Sequence, residues 1–260
     1  MIEVSFAQME AWLSLFLWPF TRITSFILAS PIFGHSSVPA RIKIGLGIFL
    51  TIVVSSTLPP LPAIPFTSWS GLGILTEQII IGLSMGLALH IMFTVIQAGG
   101  EFIGMQMGLG FASFFSPETG ANTMILSRIL YLLTLLIFIT LDAHLMVIET
   151  MANSFVTLPI GFGTLNAGAF ELLVRFASTI FTSGLLFALP LMSALLVINL
   201  GMGILNRAAP QFTIFSIGFP ITLVVGIFLL SIIMGDLARF LESLFSQGLL
   251  FLNNLIETMK

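Results

Sequence analysis

From Phe176 to Asn206 the chain runs for 31 residues without a charged side chain. Gln78 to Gly100, Ala208 to Gly235 and the run from Ile44 up to Glu77 are equally bare. A soluble domain carries about a quarter charged residues, whereas here 7% are charged and 57% hydrophobic. A water-facing surface cannot be assembled from that supply. Such a chain folds within a membrane, or hides most of its surface inside a membrane-associated assembly.

The few charges exclude other classes. Eight Lys and Arg residues are scattered singly, and the net charge is −3. Nucleic-acid binding requires a clustered basic face to neutralise phosphates, so no nucleic-acid partner is expected. With no cysteine there are no disulfides, thiolate metal sites or CxxC redox chemistry. Met1 to Glu10 carries Glu3 and Glu10 but no Lys or Arg, and so lacks the basic start of a cleaved signal peptide.

A membrane helix needs roughly 20 mostly apolar residues. Six stretches fit this expectation: 12–33, 42–58, 72–98, 124–148, 176–204 and 212–235. A seventh, Asp236 to Lys260, alternates Leu237, Phe240, Leu241, Leu244 and Phe245 with Asp236, Arg239, Glu242 and Ser243. That spacing predicts a separate amphipathic helix. Pro59, Pro60, Pro62 and Pro65 mark an extended connection. Gly34 to Pro39 and Pro159 to Gly163 read as loops, and Pro190 and Pro220 as kinks inside apolar helices. Orientation is balanced: Arg41, Lys43, Arg128 and Arg207 fall on one side, Arg175, Arg239 and Lys260 on the other. Four against three is too small a bias for the positive-inside rule.

The segment Gly99 to Gly120 is unusual for a connection because it is apolar. Gly104, Gly108 and Gly110 alternate with Met105, Met107, Phe111, Phe114 and Phe115 ahead of Pro117. In water each such Phe or Met left exposed forfeits about 1.5–3 kcal/mol of burial. Irregular backbone at membrane depth persists only where protein covers it or it lines a cavity. Two readings follow: a deformable stopper in a conduit, since Met and Gly adapt to what passes, or a plain packing loop. Gly82, Gly86 and His90, then Gly100, Gly104 and Gly108, repeat at intervals of four. Small residues at this spacing let helices pack closely in lipid.

Gly82-Leu-Ser-Met-Gly86 matches the nucleophile-elbow pattern, which has mechanical meaning only at a strand-to-helix turn. With His90 or His144 it leaves an intramembrane serine protease, built on Ser84, as one alternative. Asp142, His144 and Glu149, with His90, leave a proton-coupled transporter or channel as another. A solvated helix end is the favoured account of the first three, and a polar contact between helices the favoured account of His90. No phosphate loop, dinucleotide motif or metal-ligand cluster occurs, so no cofactor or metal is expected and any driving energy comes from another protein.

Taken in order, further strings have a family likeness. They are Arg22 with Ser30-Pro-Ile-Phe-Gly34, Val38-Pro-Ala-Arg-Ile-Lys43, Gln78 to Gly86 and Ala98 to Gly110. Leu141-Asp-Ala-His-Leu145, Ser154 to Gly161 and Asn206-Arg-Ala-Ala-Pro-Gln211 follow. In that order and spacing the chain resembles the FliR/SctT family of type III secretion export-gate proteins, in its flagellar form. The likeness spans essentially the whole chain. It implies an all-α membrane protein whose kinked helical hairpins pack with FliP and FliQ into a helical assembly, with FlhB nearby. It also implies a place in the bacterial inner membrane, at the flagellar basal body, where unfolded flagellar subunits pass through the gate. Residues 1–175 would be a FliP-like part, and 176–260 a FliQ-like hairpin ending in the amphipathic helix. The plug loop maps to about 105–120, with Met105, Met107, Gly108, Gly110, Phe111, Phe114, Phe115 and Pro117. Two departures stand out: Ser116 where an acidic residue often precedes the proline, and Ala143 where Gly commonly precedes the histidine.

Overall fold

A computed structural model describes residues 6–56, 58, 64–65, 68–110, 125–161, 163, 165–209 and 218–260, with the side chains of 6–12 excepted. Among these residues every regular element is helical. The helices are α1 (Phe6–Ala29), α2 (Ala40–Ser55), α3 (Trp69–Gln106) and α4 (Ile125–Thr140). They continue with α5 (Ala143–Thr157), α6 (Gly168–Ala177), α7 (Thr179–Ala208) and α8 (Phe219–Met259).

The chain forms two compact units, each assembled from separate stretches. One comprises residues 1–91, 142–177 and 246–260; the other comprises 92–141 and 178–245. In the first, α1 contributes Trp18, Ile23, Phe26 and Ile27 to the interior, and α3 contributes Ile74, Ile81, Met85 and Leu89. Val147, Met151 and Phe155 of α5 and Leu252, Leu255 and Met259 of α8 complete it. The second unit is centred on three rings: Phe93, Phe138 and Phe245 stand 5.0–5.8 Å apart between centroids. Edge-on and tilted contacts of this kind let the positive rim of one ring meet the negative face of the next.

The structure corrects three sequence readings. Helix α3 does not end near residue 98 but runs on to Gln106, so Gly99 to Gln106 is helix rather than loop. Two close contacts in the second unit hold it there. A Cβ on Gly99 would stand 2.7 Å from the Phe187 ring and 3.1 Å from the Gly184 carbonyl, and one on Gly100 2.7 Å from the Ser127 backbone. Packing that tight compensates for the roughly 1 kcal/mol of helix propensity each glycine forgoes. Next, the apolar stretch 124–148 is not one helix. It breaks at Leu141–Asp142, where Asp142 takes the left-handed backbone conformation, φ 53°. Asp adopts that region more readily than most residues because its short side chain bonds locally. Finally, the amphipathic tail is not a separate helix: α8 runs unbroken through Gly235 and Asp236 to Met259.

Candidate gate segment and a buried arginine

The foot of the candidate gate segment is built by the last turn of α3. Leu109 donates its N–H to the Gly104 carbonyl at 2.9 Å, and Gly108 donates to the Met105 carbonyl at 3.0 Å. Gly108 sits at φ 84°. This pair of bonds closing on a left-handed glycine is the Schellman termination of a helix, and a side chain there would strain the backbone. Met105 therefore lies in the final helical turn, with its side chain more than half exposed at 56%, and is not a loop residue. Met107 points the other way and is buried, at 2%. Its carbonyl accepts from the Thr222 hydroxyl at 3.3 Å. Its side chain fills the space over Gly226, where a Cβ would lie 2.7–3.0 Å from Met107 Cγ, Cε and Sδ. Gly110 closes the described part of the segment; Phe111, Phe114, Phe115 and Pro117 lie outside the described residues.

The glycines at intervals of four occupy distinct settings. A Cβ on Gly82 would collide with the Arg22 carbonyl and lie 2.8 Å from Ser25 Cβ. One on Gly86 would stand 2.5 Å from Ala29 Cβ and 2.8 Å from the Phe26 carbonyl. Along these turns α1 and α3 touch backbone to backbone. Gly104 is buried, while His90 is exposed. Ser84, between Gly82 and Gly86, is buried in the middle of α3, where no strand-to-helix turn exists to strain and present a nucleophile. Asp142 and Glu149 are exposed and His144 half-buried.

Sequence reasoning passed over the most unusual polar group, Arg22, as one letter of a motif. The approach of α1 to α3 at Gly82 brings it one turn from Gln78, and it is fully buried. Its Nε donates to Gln78 Oε1 at 2.7 Å. Nη1 donates to the Ser154 carbonyl at 3.0 Å and to Ser154 Oγ at 3.2 Å, and Nη2 to the Leu158 carbonyl at 3.0 Å. The guanidinium carbon lies 4.3 Å from the centre of the Phe155 ring. All partners are neutral. The compensating charge is partial: two carbonyls at the C-terminal, negative end of α5, and a ring face. A single Arg inside the apolar run 12–33 was the one sequence signal for this site, because a buried charge has to be met by something.

Three helical stretches, Trp69–Gln106, Gly168–Ala208 and Phe219–Met259, are long and apolar enough to cross a membrane. The class is therefore an all-α membrane protein with several spans. The model of the family "Bacterial export proteins, family 1" matches residues 13–248. The FliR flagellar biosynthetic protein of Pectobacterium carotovorum subsp. carotovorum is 45% identical over 240 residues, covering 92% of each chain. The Escherichia coli K12 FliR is 41% identical over 259 residues, covering 100% of this chain and 99% of its own. A Bacillus subtilis FliR is 28% identical over 245 residues. The chain belongs to the bacterial export proteins of family 1, and the FliR likeness drawn from its motifs is borne out. The protease and transporter alternatives gain no support from these relatives.

Proposed function

We propose that this chain is a structural and gating subunit of the flagellar type III protein-export gate. The observation that carries the reading is the family match over residues 13–248 together with FliR relatives aligned nearly end to end. In this reading it works in the bacterial inner membrane at the flagellar basal body, with FliP, FliQ and FlhB as neighbours. It passes unfolded flagellar subunits and performs no catalysis of its own. Residues 1–175 act as the FliP-like part and 176–260 as the FliQ-like hairpin. Kinked hairpins of both parts pack into a shared helical assembly. Glycines 82, 86, 100 and 104 serve helix packing. The segment 105–120 closes the resting conduit, with Met107, seated over Gly226, as its fixed root.

The test is made in cells lacking their own FliR. The chain is expected to restore motility and to co-purify with FliP and FliQ as one particle. Failure of both would reject the assignment. Within a restored gate, removing Gly110 to Ser116 should let resting cells leak small ions. Unchanged permeability in the assembled particle would remove the gating role and leave the structural one standing.

A further inference from the structure

We infer that Arg22 is a positioning residue: its guanidinium fork, together with Glu77, fastens the connection after α5, residues 158–163, onto α1 and α3. The inference concerns the chain's own fold and does not depend on the export reading. Arg22 reaches three separate places at once: Gln78 on α3, Ser154 in the last turn of α5, and Leu158 just past it. One residue before Gln78, the Glu77 carboxylate accepts the N–H of Gly163 at 2.6 Å, five residues past Leu158 in the same connection. Gly163 holds φ 79°. Leu158 and Gly163 are thus both tied to neighbouring residues of a single helix, directly or through Arg22. The groups that Arg22 bonds are all neutral, so no carboxylate among the described residues neutralises it. The charge stays buried because the fork satisfies several acceptors together, and the fork is lost if the connection lifts. Lysine offers a point charge on a flexible stem and cannot reproduce the three-way geometry.

Because the chain contains no cysteine, one introduced thiol is a unique reporter. Ile160 lies in the connection and is 7% exposed. In the full-length chain solubilised in detergent, alkylation of Ile160→Cys is expected to be slow. Adding Arg22→Lys or Gln78→Leu should accelerate it by roughly tenfold, the scale of losing one hydrogen bond to a charged group. Gln78→Glu keeps the acceptor oxygen and should leave the rate slow. A second reporter, Leu195→Cys, fully buried in the other unit, should keep its rate throughout. An Arg22→Lys chain as slow as wild type at Ile160→Cys overturns the inference. So does equal acceleration at both reporters, which would mean general loosening. If Arg22→Lys does not accumulate, Gln78→Leu against Gln78→Glu decides, and equal rates for those two likewise overturn it.

Discussion

Helix α3 and the helices α7 and α8 have comparable apolar character, yet their surroundings differ sharply. In α3 67% of the most apolar stretch is buried, against 22% in the Gly168–Ala208 stretch and 17% in α8. Glycine shows the same contrast at atomic scale. Gly82 and Gly86 lie so close to α1 that no Cβ would fit, whereas a Cβ on Gly201, Gly203 or Gly235 would meet nothing within 4 Å. Around those open glycines Val197, Leu200, Ile204, Phe228 and Ile232 are exposed by 59–72%. Hydrophobicity thus does not decide which helix is covered within the chain. Close-fitting small residues and a satisfied polar group do, and the bare faces are left for lipid or for other polypeptides.

The contrast can be broken by substitution. Leu89→Ala, at a fully buried site of α3, should cost about 2–5 kcal/mol in chain stability. Thermal unfolding of the solubilised chain measures it. Gly86→Leu should cost about 1–3 kcal/mol by overpacking the α1–α3 approach, and the same measurement applies. Gly201→Leu should leave the chain's unfolding temperature unchanged or slightly raised, since leucine gains up to about 1 kcal/mol of helix propensity over glycine. That variant should nonetheless lose co-purification with partner subunits if they cover this face. A Gly201→Leu chain that unfolds as easily as Gly86→Leu would erase the distinction between the two regions.

Much of the fold was legible because apolar runs of helical length leave few alternatives. Gly82 and Gly86 announced themselves by spacing, and the ordered motifs by family. What stayed hidden was set by contacts remote in sequence or by tolerance of an unfavourable residue. Gly99 and Gly100 opened a stretch read as a connection, yet Gly184, Phe187 and Ser127 hold them in helix. The break at Asp142 carries neither proline nor glycine to betray it. At Gly235 a residue that reads as an end lies inside an unbroken helix. The partners of Arg22 lie 56 to 136 positions away, beyond the reach of any periodicity. The rings expected in the plug loop, Phe111, Phe114 and Phe115, fall outside the described residues.

The termination at Gly108 has a consequence for how such a protein can vary. Its left-handed backbone sets the bearing on which the chain departs from α3, whatever letters come next. That bearing survives variation only while position 108 remains glycine and Met107 keeps its footing on α8.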